Sequence, residues 1–190
     1  LILDVRHQDD FVKGFIPNSL FIGLDGTFAM WVGALIEDLD QKIILIIEPG
    51  REEETITRLA RVGYSGVVGY LSGGISSYEG ELYTLNSISP AEFEKADREN
   101  VVDIRREGEF TSEHLEGAEH YPLDYMTSNI DHLDTKKTYH IHCAGGYRSV
   151  IAISLLMQNG YTKLINVEGG YKEISQTSIP KTNFVCPSTL

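Results

Sequence analysis

The chain has 190 residues, of which 42% are hydrophobic, and a formal net charge of −12 that is spread over both halves. This length holds one large domain or two small ones, and an acidic chain without a basic run predicts no nucleic-acid partner. Because no apolar run approaches the ~20 residues that a membrane-spanning helix needs, we also expect no membrane association.

Two strands are predicted in the first half of the chain, one at its start and one at the beginning of residues 44–64. The chain opens on the apolar run LILDV, and residues 44–64 read ILIIEPGREEETITRLARVGY. The second of these stretches predicts a buried strand, a short loop with proline and glycine, and a helix.

The second half predicts a longer alternation of strands and helices. SISPAEFEKA, at residues 87–96, predicts a short strand and a helix with Ser89 as N-cap, Pro90 at the first helical position and Glu92 in a capping box. The strands NVVDI, YHIH and KLINV follow, and the helix SVIAISLLMQN ends before Gly160. This alternation predicts an α/β fold with a mainly parallel sheet flanked by helices.

The two halves repeat each other. LDVRHQDDF, at residues 3–11, matches VDIRREGEF at residues 102–110, and RLARVGY and LSGG match LLMQNGY and VEGG further along. The offset between the copies falls from 99 to 96 residues over the repeat. We therefore predict two domains of one kind, residues 1–85 and 86–190.

The copies differ at their beginnings. The strand and helix predicted at residues 87–96 have no counterpart in the first copy, because that counterpart would fall before residue 1. We therefore expect the first domain to be truncated at its N-terminus.

Cys143 lies where the strand YHIH gives way to the loop CAGGYR and the next helix. In parallel sheets, sites lie at the carboxyl ends of the strands. Gly145 and Gly146 permit the backbone angles that turn successive N–H groups inward as an anion-binding nest. The helix start and the permanent charge of Arg148 favour negative charge at the same point. We therefore predict that Cys143 is a nucleophilic thiolate rather than a buried structural cysteine.

The loop residues after the cysteine are predicted to hold a negatively charged group on its sulfur, and they are Ala144, Gly145, Gly146, Tyr147 and Ser149. Tyr147 either lines the mouth of this loop or packs against it. Asp103 and Arg105, at the end of another strand, are interpreted as structural support. His142 precedes the cysteine, so its side chain should face the opposite way and pack in the core.

The remaining histidines and cysteines give no sign of a metal site or of a disulfide framework. Only Cys143 and Cys186 are present, which is typical of a protein from the reducing cytoplasm. Cys186 is interpreted as an inert residue near the C-terminus, with a resolving thiol as the alternative.

The motifs together resemble a rhodanese domain of the sulfurtransferase family. In the second copy these are YHIHCAGGYRS, VDIRREGEF, HLEGA and VEGGY, and in the first they are LDVRHQDDF, GFIPNSL and GYLSGG. The resemblance implies that Cys143 takes a sulfane sulfur from thiosulfate or glutathione persulfide, becomes a persulfide and passes the sulfur to a thiol acceptor. Glu116 stands where the family usually has proline, which is a peripheral departure.

The length of the loop distinguishes a sulfurtransferase from a tyrosine phosphatase. Tyrosine-phosphatase-type loops have five residues between cysteine and arginine, whereas Cys143 and Arg148 enclose four. We therefore favour sulfur transfer.

The first copy is predicted to be catalytically silent. At an offset of 97 residues Ile46 falls on the cysteine and Arg51 on the loop arginine, with Glu48 inside the loop and the acids 52–54 after it. Isoleucine cannot act as a nucleophile, and carboxylates oppose the binding of an anion.

CAGGYRS after a silent copy also resembles the C-terminal part of fusions between a metallo-β-lactamase-fold persulfide dioxygenase and rhodanese domains. This resemblance implies a further domain, which would carry the metal, ahead of the chain described here; in this chain we expect neither metal nor cofactor. Two functional classes stay open: a working sulfurtransferase, and a persulfide-binding or partner-binding module that does not turn over within a larger sulfide-metabolism enzyme.

Overall fold

The structure, a computed structural model, describes residues 1–186. These residues form two compact units, the first spanning Leu1–Leu85 and the second beginning at Asn86. Each unit contains a sheet of parallel strands flanked by helices, so the predicted α/β fold is confirmed.

The first unit has a four-stranded sheet with the strand order β2-β1-β3-β4. Its strands and helices are β1 (Ile2–Asp4), α1 (Gln8–Lys13), β2 (Ser19–Phe21), α2 (Phe28–Leu35), β3 (Ile43–Ile46), α3 (Glu52–Arg61) and β4 (Val67–Tyr70). A 3-10 turn at Ile75–Ser77 follows the last strand. Aromatic stacking fills the core beside the sheet, where the ring centroids of Phe11 and Phe15 are 4.3 Å apart.

The second unit has a five-stranded sheet with the strand order β5-β9-β8-β6-β7. Its strands and α-helices are β5 (Ser87–Ile88), α4 (Pro90–Lys95), β6 (Val101–Asp103), α5 (Glu107–Ser112), β7 (Glu119–His120), β8 (Tyr139–His142), α6 (Tyr147–Gln158), β9 (Leu164–Val167) and α7 (Gly170–Ile174). Short 3-10 turns at Leu123–Tyr125 and Thr127–His132 lie between β7 and β8.

The helix starts and stops follow local chemistry. At α4 the Ser89 N–H donates to the Glu92 carboxylate at 2.8 Å and the Glu92 N–H donates to Ser89 Oγ, which is the predicted capping box. The helix α6 ends before Gly160, whose φ of +88° suits a residue without a side chain. Because α6 is buried along most of its length, its sequence is apolar on nearly every side.

The two sheets share one strand order and differ at one edge. The order β2-β1-β3-β4 corresponds to β7-β6-β8-β9, and the second sheet adds β5 beside β9. Within the described residues β4 is an edge strand, and Val68 on it is 61% exposed. The helix α4, which follows β5, brings Phe93 against His140 of the second sheet, with ring centroids 5.4 Å apart.

None of the helices in the described part of the chain is both long enough and apolar enough to cross a bilayer.

Candidate functional site

Cys143 lies at the carboxyl end of β8 and is 1% exposed. The Gly146 N–H donates to its Sγ at 3.1 Å. Gly146 has a φ of +96° and is the N-cap of α6, so the left-handed backbone that glycine permits is what turns this N–H towards the sulfur. Gly145 does not have a positive φ, and a Cβ at this exposed position would meet no atom within 4 Å.

The start of α7 fixes the backbone of the loop. The Tyr171 N–H donates to the Cys143 carbonyl oxygen at 2.6 Å, and the Lys172 N–H donates to the Ala144 carbonyl oxygen at 2.9 Å. At Gly170, where φ is +59°, a Cβ would lie 2.4 Å from the Cys143 oxygen. The close approach of α7 to the loop therefore requires glycine at this position.

Ser149 connects the loop to the first turn of α6. Its buried hydroxyl donates to the Gly146 carbonyl oxygen at 2.9 Å, and its oxygen lies 3.8 Å from Cys143 Sγ. The serine therefore stabilises the turn that presents the Gly146 N–H and also contacts the sulfur.

Arg148 forms a two-point ion pair with Glu109 of α5. Its Nη1 and Nη2 atoms each donate to a Glu109 carboxylate oxygen at 2.7 Å. These hydrogen bonds raise the pKa of Arg148 above its ordinary value, against a lowering effect of burial, and the negative charges of Glu109 and Cys143 raise it further. The arginine thus lies within electrostatic reach of the sulfur while its donor fork is held by a carboxylate.

Behind the loop lies a buried ion pair. The Arg105 side chain donates to both carboxylate oxygens of Asp103 at 2.7–3.0 Å, and it also donates to the Glu113 carbonyl oxygen at 2.8 Å. The guanidinium lies 3.9 Å above the centroid of the Tyr171 ring. Asp103 and Arg105 therefore join β6, α5 and the start of α7.

His142 lies in the core. Its side chain is fully buried, and Nε2 is 3.9 Å from an Asp103 carboxylate oxygen without a hydrogen-bond partner among the described residues. Burial lowers the pKa of this imidazole, although the Asp103 charge opposes the shift. The histidine is therefore neutral near pH 7, in a position where it packs against the ion pair.

A cavity of about 580 Å³ adjoins the site. Its lining residues come from α5 and the residues that flank it, from α7 and from the C-terminal segment, and they are Arg105, Arg106, Gly108, Glu109, Ser112, Glu113, Tyr171 and Phe184. Two of them contact the cysteine loop, since Glu109 binds Arg148 and the Tyr171 N–H binds the Cys143 carbonyl. The C-terminal segment is held in place because the Val185 N–H donates to the Ser112 carbonyl oxygen at 2.8 Å.

The other predicted residues are less buried than Cys143. Ala144 and Tyr147 are partly buried in the loop, and Cys186 is exposed. In the described part of the chain no group of three or more His, Cys, Asp or Glu side chains is arranged to hold a metal ion.

The corresponding loop of the first unit has a register that differs by one residue from the predicted one. Asp4 pairs with Ile46 across the first sheet as Asp103 pairs with His142 across the second. The counterpart of the cysteine is therefore Ile47, and the predicted match with Ile46 is wrong.

The backbone of the first loop supports this register. Gly50 has a φ of +93° where Gly146 has +96°, and Gly74 approaches the first loop as Gly170 approaches the second. Counting from these loop glycines, the position of Arg148 is taken by Glu52.

In the first loop, the inward N–H group is already bound by a carboxylate of the same loop. The Gly50 N–H donates to a Glu52 carboxylate oxygen at 2.9 Å, whereas the equivalent N–H of the second loop faces sulfur. Arg51 is held by Asp25 in a two-point contact at 2.7 and 2.8 Å and also contacts Glu54. Ile47 lines a cavity of about 370 Å³, so this region keeps a cleft in which isoleucine stands at the position of the cysteine.

Three features of the site were not predicted from the sequence: Glu109 as the partner of Arg148, Gly170 as the contact of α7, and the role of Ile47. The glycine pairs of LSGG and VEGG recur at the same place in both copies, and this repetition is the signal that could have identified Gly170.

Comparison with known proteins finds similarity over both units of the chain. Residues 1–81 and 89–177 match the rhodanese-like domain family. Thiosulfate sulfurtransferase PspE of Escherichia coli is 33% identical over 86 residues, which are 43% of this chain and 79% of that protein. A sulfurtransferase of Allochromatium vinosum is 30% identical over 87 residues, 45% of this chain and 81% of that protein. Uncharacterized protein YqhL of Bacillus subtilis is 29% identical over 100 residues, 52% of this chain and 79% of that protein.

Proposed function

Because this chain belongs to the rhodanese-like domain family, we propose that its second unit is a sulfurtransferase that carries sulfane sulfur as a persulfide on Cys143. The observation that supports this most directly is the contact between the Gly146 N–H and Cys143 Sγ, in a loop whose carbonyl groups are bound by α7. Such a loop presents positive N–H dipoles to the sulfur, at the point where a transferred sulfur would carry negative charge.

The first half-reaction is nucleophilic. The Cys143 thiolate attacks the outer sulfur of the donor, a new S–S bond forms, and the bond between the two donor sulfurs breaks. The electron pair of the broken bond leaves with sulfite if the donor is thiosulfate, or with a thiolate if it is an organic persulfide. No external oxidant or reductant is needed, because the sulfane sulfur keeps its oxidation state.

The second half-reaction restores the enzyme. A thiolate acceptor attacks the outer sulfur of the Cys143 persulfide, and the cysteine thiolate is the leaving group. The loop residues Ala144 to Tyr147 hold the persulfide anion through backbone N–H groups, and Ser149 orients Gly146. Arg148 stabilises the negative charge at a distance while bound to Glu109.

The relatives suggest the class of donor. One of them is named a thiosulfate sulfurtransferase, so small sulfur donors are the substrates that we propose here. A cytoplasmic location and an association with a metallo-β-lactamase-fold domain stay predictions of the sequence.

One observation favours the alternative of a module that binds a persulfide without turning over. Cys143 is 1% exposed, which restricts the approach of an acceptor. The two functions are separated by whether the persulfide of the isolated chain is discharged by excess thiol.

The test is a sulfur-transfer assay with thiosulfate or an organic persulfide as donor and a thiol or cyanide as acceptor. We expect Cys143→Ser to abolish turnover with the fold intact, since only the nucleophile changes, and Cys186→Ser to keep the wild-type rate. Turnover that survives in Cys143→Ser would refute the assignment of the nucleophile. A wild-type chain that takes up one sulfur atom and never releases it would identify the non-turnover module.

A further inference from the structure

Glu109 connects the cysteine loop to the adjoining cavity. Its carboxylate accepts two hydrogen bonds at 2.7 Å from Arg148 and one at 3.2 Å from the Arg106 backbone N–H, and it lines the cavity. Burial alone would raise the pKa of this carboxyl, but the Arg148 contacts outweigh burial and lower it. Glu109 is therefore ionised at neutral pH.

The cations of this region are each paired with a carboxylate. Arg148 is bound by Glu109 at two points. Of the two arginines that line the cavity, Arg105 is held by Asp103 in the core, and Arg106 lies 3.3 Å from Asp124. A dianionic donor would therefore have to compete with carboxylates already in place for every guanidinium near the sulfur.

We propose that Glu109 is a specificity-determining residue that makes the site select an organic persulfide over an inorganic dianion such as thiosulfate. This inference rests on the proposed function of Cys143. Glu109 acts through charge: its carboxylate neutralises the one loop guanidinium that would otherwise bind the sulfonate end of thiosulfate.

The charge balance of the two donor reactions supports this selection. Attack of the cysteine thiolate on thiosulfate brings three negative charges together, and they leave as a cysteine persulfide anion and sulfite dianion. Attack on an organic persulfide anion brings only two, which leave as a cysteine persulfide anion and an organic thiolate. Because Arg148 is held by Glu109, the additional negative charge of thiosulfate meets no guanidinium of the described residues that is free to bind it directly.

The cavity suits the part of an organic persulfide that thiosulfate lacks. Its volume of about 580 Å³ exceeds what a few sulfonate oxygens occupy, and the side chains of Tyr171 and Phe184 line it. A carbon substituent next to the transferred sulfur would pack against these rings, and the burial of its apolar surface would stabilise the complex.

The test compares kcat/KM for thiosulfate and for a small organic persulfide, with the same acceptor, in the wild type and in Glu109→Gln. We expect the wild type to prefer the persulfide. The neutral amide frees the Arg148 charge, so KM for thiosulfate should fall and its kcat/KM should rise about tenfold, the effect of roughly one favourable charge contact. The kcat/KM of Glu109→Gln for the persulfide should stay within about twofold of the wild-type value.

Two variants separate charge from structure. Glu109→Asp keeps the charge and should keep the wild-type preference, and Glu107→Gln removes an exposed carboxylate on the same turn of α5 and should change neither value. A parallel fall of both kcat/KM values in Glu109→Gln would show that Glu109 only positions Arg148, and would overturn the inference.

The wild type alone gives a decisive result should Glu109→Gln fail to fold. A wild type that uses thiosulfate more efficiently than the persulfide would overturn the role of Glu109 and leave the proposed function in place. A wild type that transfers sulfur from neither donor would refute the proposed function itself.

Discussion

The first and second units place the same loop frame at equivalent points of their own sheets, and only one of the two loops carries a cysteine. Gly50 and Gly146 have φ values of +93° and +96°, and each donates its N–H to a group of its own loop. In the first unit that group is the Glu52 carboxylate, and in the second it is the Cys143 sulfur. A loop frame that turns an N–H inward is therefore a scaffold for an anion, and the side chain it meets decides whether chemistry follows.

The support behind the two loops is equally alike. Arg6 donates to Asp4 and to the Gly14 carbonyl oxygen, both at 2.7 Å, as Arg105 donates to Asp103 and to a carbonyl oxygen of the following turn. The difference between the units thus lies in the loop and its contacts rather than in the fold beneath. Substitutions at equivalent positions of the two units therefore test this difference.

The largest effect is expected from the two buried ion pairs. Asp4→Asn and Asp103→Asn each leave a buried guanidinium without its charge partner, so each should reduce the free energy of unfolding of its own unit by about 3–5 kcal/mol. Only Asp103→Asn should also reduce sulfur transfer, since only that pair supports the cysteine loop.

Chemical denaturation can follow the units separately. The fluorescence of Trp31, which is the one tryptophan of the chain and lies in the first unit, reports on that unit, and circular dichroism reports on both. A loss of activity in Asp4→Asn equal to that in Asp103→Asn would contradict the division of roles.

A smaller but still large effect is expected at the glycine that touches each loop. In Gly170→Ala the new Cβ would lie 2.4 Å from the Cys143 oxygen in a left-handed backbone. We therefore expect the free energy of unfolding to fall by about 2–3 kcal/mol and most sulfur transfer to be lost. In Gly74→Ala the backbone is also left-handed, but the nearest atoms, the Ile47 oxygen and Pro49 Cδ, are 3.2 Å away, so the free energy of unfolding should fall by less and activity should remain.

Gly145→Ala is the matched control in the reactive loop, because a Cβ there meets nothing within 4 Å. The free energy of unfolding of Gly145→Ala should stay within about 0.5 kcal/mol of that of the wild type. If Gly170→Ala were as active as Gly145→Ala, the contact of α7 with the loop would not matter for function.

A moderate effect is expected from the pair His142 and Ile46, which occupy equivalent strand positions. The pKa of buried His142 is lowered, so the unfolded chain binds its proton first as the pH falls. The stability that the neutral form contributes is therefore complete above pH 6.5 and is lost as the pH falls from there, by at most ~1.4 kcal/mol per pH unit.

His142→Ile should therefore flatten the fall in stability between about pH 6.5 and 5, measured by denaturation across that range. Buried His140, whose pKa is also lowered by burial, keeps its own share in both proteins. An unaltered slope in His142→Ile would show that this imidazole does not resist protonation in the folded protein.

The smallest effect, a gain of almost no sulfur transfer, is expected from placing a thiol in the first loop. Ile47→Cys, made in a Cys143→Ser background, should stay below about 1% of wild-type sulfur transfer because the Gly50 N–H is bound by Glu52 and carboxylates surround the loop. Adding Glu52→Gln should raise the rate of alkylation of the new thiol several-fold, measured with a neutral alkylating reagent. Transfer at a rate near that of the wild type would mean that the first loop is already suited to an anion.

The fold class and the position of the reactive loop followed from the sequence for physical reasons. Alternating apolar runs and helix patterns specify a parallel sheet, and the capping box of Ser89 and Glu92 is a local signal that packing did not override. Both depend on residues that are close together in the chain.

The features that were missed depend on residues far apart or on an uneven repeat. Arg148 and Glu109 are 39 residues apart, and nothing in either local stretch indicates that the two meet. The register of Ile47 was misjudged because the first copy has one residue fewer between Gly50 and Gly63 than the second has between Gly146 and Gly160. An offset taken from the helix end therefore shifted the loop, and the correct match comes from strand pairing and from the loop glycines.

The claim that one loop of two carries the sulfur is tested most directly by mass spectrometry of the intact chain after brief treatment with an organic persulfide, followed by peptide mapping. We expect one added sulfur atom per chain, located on Cys143, released by excess thiol and absent from Cys143→Ser, with Cys186→Ser modified like the wild type. Added sulfur that persists in Cys143→Ser, or that maps to Cys186, would contradict the account.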